Sequence, residues 1–253
     1  MAVLFPKKVP AFSRALGESD DGFDFDNDYI VPAEVSASNS IEINENIGTL
    51  IIGVGSAQCN ALKETLDFSR AQIIAEVSLL ISNHIIMTCS AYKFDGAVLI
   101  WLCDTQQSES CYGFGKWIEA LLSPFELEQN ACIYILADAP TSEFQSDLKP
   151  VTPFVRVLRT PKAASEHLDI KVLEPPNIIS GFAAALMSHC IYESLSACVL
   201  ITYYDNVRAS STDQDIAAVI APILRSTSQL QPYILLHHKP PKLSVQNFDQ
   251  MYI

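Results

Sequence analysis

Few residues in this sequence have the type and spacing to do chemistry. Gly53-Val54-Gly55-Ser56 follows an apolar run, and glycines there could let a phosphate approach the backbone at a helix N-terminus. The third glycine of a dinucleotide-binding turn is missing, and no acidic residue closes a second strand about twenty residues on. The segment therefore reads as a tight strand-to-helix turn. Asp104 closes the apolar run Ala97 to Cys103, where α/β enzymes often hold catalytic carboxylates, although a capping role suits it equally well. His84 stands between two apolar runs, with no serine or cysteine motif arranged to use it as a base, and reads as a structural histidine near a turn.

Gly113-Phe114-Gly115-Lys116 lacks the first glycine of a P-loop and its following Ser or Thr, so phosphate binding is discounted. His237-His238 is too isolated a pair to make a metal site. The seven cysteines, at 59, 89, 103, 111, 132, 190 and 198, are never closer than eight apart. That is no metal-ligand spacing, and an odd count in apolar surroundings reads as reduced thiols acting as small core residues. No catalytic residue, metal or cofactor is expected.

The elements that would position these residues alternate in type. Ile47 to Val54 reads as a strand, followed by a helix through Leu62, Leu66 and Phe68. Ile73 to Thr88 is rich in β-branched residues and reads as strand, with a turn at Ser82-Asn83-His84. Lys93-Phe94-Asp95-Gly96 is a hairpin signal before the strand Ala97 to Cys103. Trp117, Ile118, Leu121 and Leu122 share one helical face, and Ala131 to Ala137 is a further strand. A long polar loop over Asp138 to Pro153 leads to a strand at Phe154 to Thr160.

The most informative stretch is Leu173 to Asp205. Glu174-Pro175-Pro176-Asn177 cannot be helix, because proline lacks a donor and pushes the preceding residue towards extended geometry. A helix from Gly181 to Ser194 and a buried strand over Ala197 to Tyr204 follow. Asp213 to Leu224 makes one more helix, and Pro232 to His238 reads as a last strand. The pattern favours an α/β fold, a three-layer α/β/α sandwich on a mostly parallel central sheet.

With 253 residues, 49 % of them apolar, the chain can bury a sizeable core. No apolar run reaches the roughly 18 residues of a membrane span, and the start lacks the apolar block of a signal peptide, so a cytoplasmic or nuclear protein is expected. The net charge of −13 argues against nucleic acid and anionic membranes as partners and permits a basic protein. Residues 1–48 hold nine acids against three bases, a net of −6. Residues 1–46 are read as an acidic, disordered arm, 47–238 as one α/β domain, and 239–253 as an extended tail that leaves by Lys239-Pro240-Pro241-Lys242.

Pro153-Phe154-Val155-Arg156-Val157-Leu158-Arg159-Thr160, Leu173-Glu174-Pro175-Pro176-Asn177-Ile178, the helix with Ala184 to Cys190, and the strand ending Thr202-Tyr203-Tyr204-Asp205 lie in the order and spacing of a known family. Together with Pro222-Ile223-Leu224 they make the chain resemble the proteasome assembly chaperones. The resemblance is best from about Val151 to Leu224, weaker from Ile47 to Ala137, and absent from the acidic first forty-odd residues. It implies a non-enzymatic chaperone on a phosphorylase-like sandwich without its active site. It also implies pairing with proteasome assembly chaperone 2 to hold α-subunits, promote α-ring formation and prevent off-pathway ring association. Met251-Tyr252-Ile253 fits the ending of proteasome-binding proteins, a hydrophobic residue, a tyrosine and any last residue, which implies docking in a pocket between α-subunits. Two other readings stand beside this one: a phosphorylase- or hydrolase-like enzyme using Asp104, His84 or Ser56, and an acidic scaffold whose arm recruits a basic partner.

Overall fold

The computed structural model describes residues 34–38, 43–81, 84–94, 97–105, 114–123, 125–146, 150–163, 168–205, 212–227 and 229–235. The chain separates into two units, Met1–Val31 and Pro32–Ile253, and the first lies wholly outside the described residues.

In the second unit one sheet is built from β1 (Glu34–Ser38), β2 (Ile43–Val54), β3 (Gln72–Ile81), β4 (His84–Lys93), β5 (Val98–Thr105), β6 (Phe125–Pro140), β7 (Phe154–Arg159) and β8 (Ala197–Tyr204). Their order across the sheet is β1-β3-β4-β5-β2-β6-β8-β7. The helices are α1 (Ser56–Thr65), α2 (Phe114–Leu122), α3 (Gly181–Tyr192) and α4 (Thr212–Ser226).

The α/β class is the one expected, but the sheet is mixed rather than mostly parallel. β5–β2, β2–β6 and β6–β8 run parallel, whereas β1–β3, β3–β4, β4–β5 and β7–β8 run antiparallel. Connection length decides this. A parallel pair needs a crossover of a dozen or more residues, and the links between β3 and β4 and between β4 and β5 are far shorter.

Side-chain alternation along the strands produces two cores. Leu50 and Ile52 of β2 face one way, into a cluster with Trp117, Ile118 and Leu121 of α2 and Phe182, Leu186 and Cys190 of α3. Ile51 faces the other way, towards Cys59 and Leu62 of α1 and Ile216, Ile220 and Leu224 of α4. The result is three layers, with β2, β6 and β8 covered on both faces, which is why their sequences are apolar runs rather than alternations. On α2 the periodicity is plain, since Trp117, Ile118 and Leu121 are buried while Glu119 is exposed.

Several boundaries differ from the sequence reading. The sheet starts before residue 47, because β1 pairs with β3 and β2 already opposes β6 at Ile43. β6 runs to Pro140, so Asp138 and Ala139 lie in the sheet rather than in a loop. The last expected strand is instead a short 3-10 turn, Gln231–Tyr233, and one isolated bridge between Ile234 and Leu66. Pro232, which has no N–H to give a ladder, sits inside that turn. His237 and His238 lie outside the described residues.

Gly55, between β2 and α1, has φ 93° and ψ 156°. That combination is open essentially to glycine alone. Gly55→Ala should lower the unfolding free energy by about 1–3 kcal/mol in a denaturant titration. Unchanged stability would show that the turn is not strained.

Candidate functional site

The parallel strands β5, β2, β6 and β8 end at a common edge, the place where an enzyme of this architecture would gather its reactive groups. Ser56 opens α1 there and is exposed, as is Asp104 near the end of β5. His84 does not join them. Asp104 opposes Thr88 on β4, and His84 lies four residues further along that strand, about 13 Å away at about 3.3 Å per residue. The hydrogen bonds at this edge hold the scaffold. Gly55 N–H donates to the Cys103 carbonyl at 2.9 Å, and Asn60 Nδ2 of α1 donates to Asp213 Oδ2 of α4 at 3.0 Å.

Cys59, on the buried side of α1, is a thiol near this edge. Its Sγ donates to the Gly53 carbonyl at 3.6 Å, and burial with the negative charge of Asp104 pushes the thiol up to about 12. It stays protonated at neutral pH and so lacks the thiolate that attacks. Among the described residues no cluster of three or more His, Cys, Asp or Glu is placed to hold a metal ion, and no helix is long and apolar enough to cross a membrane.

Cys59, Cys132, Cys190 and Cys198 are buried thiols, in keeping with the sequence reading. Cys89 and Cys103 are not. They stand directly opposite each other on β4 and β5, with Cα atoms 4.2 Å apart, and are joined as a disulfide. A spacing of 14 residues does not reveal this pairing; the hairpin register creates it.

The segments that carry the family resemblance converge at the other end of the sheet. Arg156 points inward from the edge strand β7 and is only 6 % exposed. Its Nε donates to Glu174 Oε2 at 2.9 Å, and its guanidinium lies 4.8 Å from the Phe154 ring centre and 5.2 Å from that of Phe144. Phe144, Phe154 and Tyr203 pack their rings together with centroids 4.8 to 5.1 Å apart. Asn177 then ties the loops, donating to the Gln145 and Glu174 carbonyls at 2.8 Å each. The edge of β7 is closed by its own chain, since Val157 N–H donates to Lys171 O and Leu173 N–H donates to Val157 O. Closing an edge in this way blocks unwanted strand addition. The sequence reading saw Arg156 only as a basic residue in an alternating strand, and the rigid Glu-Pro-Pro-Asn loop was the one signal that could have supplied its partner.

What this unit offers for binding is surface. Among the described residues the large apolar side chains left exposed are Ile73, Val151, Val172, Ile178, Ile191 and Tyr192. Three of these flank α3: Ile178 before it and Ile191 and Tyr192 at its end. α3 carries no acidic, lysine or arginine side chain, and its outward positions Ala184 and Ser188 are small, so a neighbouring protein could approach it closely. Met251, Tyr252 and Ile253, the expected docking residues, lie outside the described residues, as does the rest of the expected tail.

This three-layer fold is shared with solved proteins of low sequence identity. A Pyrococcus furiosus protein, PbaA, an archaeal homolog of proteasome-assembly chaperone, superposes with a TM-score of 0.53 at 16 % identity, over 79 % of this chain and 87 % of its own. A Thermoplasma acidophilum protein of unknown function shares the fold at TM-score 0.51 and 14 % identity, over 74 % of this chain and 79 % of its own. At such identities the likeness shows the fold alone. In sequence, the chain is 23 % identical to proteasome assembly chaperone 1 of Danio rerio over 268 residues, 93 % of this chain and 95 % of that protein. It is 28 % identical to the Xenopus laevis protein of the same name, over 56 % of this chain and 48 % of that one. Residues 70–236, more than half of the chain, match the family described as proteasome assembly chaperone 4. The chain belongs to this family of proteasome assembly chaperones.

Two measurements check the local analysis. The bond from Arg156 holds the Glu174 carboxyl at about 2, well below the usual carboxylate range, so the pair stabilises the fold above the ordinary pKa near 4 and is lost as pH falls from there towards 2. Glu174→Gln should flatten the acid limb of a stability-versus-pH curve, and an unchanged limb would contradict the role given to the pair. Tyr192 is 78 % exposed, so Tyr192→Ser should alter the unfolding free energy by no more than about 0.5 kcal/mol. A larger loss would show that its ring packs within the domain.

Proposed function

We propose that this chain assists assembly of the proteasome core particle. In this reading it pairs with proteasome assembly chaperone 2, holds α-subunits, promotes α-ring formation and prevents off-pathway ring association, working in the cytoplasm and nucleus without catalysis. The observation that carries the proposal is membership of the family over residues 70–236, supported by an alignment to the Danio rerio chaperone that covers 93 % of this chain. The acidic net charge of −13 is consistent with protein partners rather than nucleic acid. The exposed apolar side chains around α3 supply surface for such a partner.

The C-terminal residues supply the second contact. Met251 fills an apolar slot, Tyr252 buries its ring while its hydroxyl finds an acceptor, and the Ile253 carboxylate pairs with a lysine between adjacent α-subunits. Burying a tyrosine ring removes about 150–250 Å² from water, worth at most about 4–6 kcal/mol at about 25 cal/mol per Å². Ordering a tail and losing rigid-body freedom offset a comparable amount, so one tail binds weakly. Firm attachment needs the domain, or the partner chaperone's own tail, as a linked second contact.

The test is to express the tagged chain in its own cells, intact and lacking Met251 to Ile253, and to identify what co-purifies by mass spectrometry. The intact chain should bring down a second chaperone and several α-subunits, and truncation or Tyr252→Ala should deplete the α-subunits while leaving the second chaperone. Recovery of no proteasome component with either form would overturn the proposal, and equal recovery with both would overturn the role of the tail.

A further inference from the structure

A buried amide with a missing partner is anchored one residue before a half-buried carboxyl at the edge where the parallel strands end. Gln58, in the first turn of α1, is fully buried. Its Nε2 donates to the Ala137 carbonyl at 3.0 Å, but its Oε1 has no hydrogen-bond partner. Because the amide is planar, anchoring its nitrogen on Ala137 holds the oxygen at the same end of β6. Along that strand Cys132, Tyr134 and Leu136 face α1 and α4, and the two-residue period sends Asp138 to the same side. Asp138 is therefore one residue beyond the anchor of Gln58, on the face that α1 covers. The side chain of Tyr204, from β8, hydrogen-bonds to it.

The surroundings disfavour a carboxylate at this position. The negative charge of Asp213 on α4 acts on Asp138. Asp104 of β5 and Asp138 both act on Cys59, as does Lys63 of α1, and Glu143 bears on Tyr204 from the adjoining turn. Burial first, then repulsion by Asp213, pushes the Asp138 carboxyl up to about 6, against the opposing pull of the Tyr204 bond.

We infer that the protonated carboxyl of Asp138 donates to Gln58 Oε1, closing a hydrogen-bond chain from Tyr204 through Asp138 and Gln58 to the Ala137 carbonyl, a pH-operated latch that fastens α1 to β6 and β8. A carboxylate accepts only, so loss of the proton to solvent leaves Gln58 Oε1 without a donor and sets a negative charge against that of Asp213. The folded pKa lies above the unfolded one. The latch therefore contributes fully below the ordinary value near 4, and its contribution is lost as pH rises from there through about 6.

The full-length chain, carrying 13C label in its aspartate carboxyls, tests this by NMR titration, with chemical denaturation across the same pH range. In the wild type the Asp138 signal should titrate near 6, and Gln58→Met, which removes the acceptor, should lower that midpoint. Asp138→Asn keeps a donor towards Gln58 and an acceptor towards Tyr204, so its stability should stay level over the window in which the wild type weakens. A midpoint near 4, the ordinary value, would overturn the inference. So would a midpoint unmoved by Gln58→Met, or parallel stability curves for wild type and Asp138→Asn, the last being readable even if Gln58→Met does not fold.

Discussion

The fold depends on one constraint, the burial of β2 on both faces. Ile47, Leu50, Ile51 and Ile52 are all fully buried, so every layer around them must present apolar atoms and satisfy its own backbone groups. Parallel neighbours on both sides supply the hydrogen bonds, and the crossovers that parallel pairing requires bring the helices that cover the faces. Where that demand ends, the sheet continues with antiparallel hairpins on one side and closes with β7 on the other. Among the described residues, the closed edge at β7 and the helix-covered faces leave a few large apolar side chains exposed.

Among the described residues, the edge at which an enzyme of this architecture would gather its groups holds exposed Ser56, exposed Asp104, a half-buried Asp138 hydrogen-bonded to Tyr204, and a Cys59 thiol pushed well above its usual range, with His84 remote along another strand. Much of the polar detail is instead spent on fixing loops, as in the Arg156–Glu174 pair beneath the aromatic rings of Phe144 and Phe154. Loops held in this way keep a surface in one shape, and a protein that binds by shape needs that.

Much of the fold was legible in the sequence, for physical reasons. The run Ala197 to Tyr204 is a strand with the bounds read from its β-branched and aromatic content, because burial on both faces removes any competing signal. The two-residue link after Ile81 and the Asp95-Gly96 signal both mark true hairpins. The mixed character of the sheet follows from those same short links, which are too short for a parallel crossover. Pairings between distant segments were not legible. Arg156 with Glu174, Cys89 with Cys103 and Gln58 with Ala137 arise from register, which local propensity does not encode. The family, by contrast, was readable from Pro153 to Asp205, where the sequence is tied down by its loops and prolines. The proposed docking residues Met251, Tyr252 and Ile253 rest on their pattern at the end of the sequence.

The most direct test of the central claim is reconstitution from purified components. The chain and proteasome assembly chaperone 2 would be mixed with a full set of recombinant α-subunits, and the products followed by native mass spectrometry. The account predicts that the pair raises the yield of α-rings and remains bound to them, while either chaperone alone does less. Rings that form equally well without the pair, or a chain that binds neither the second chaperone nor any α-subunit, would contradict it.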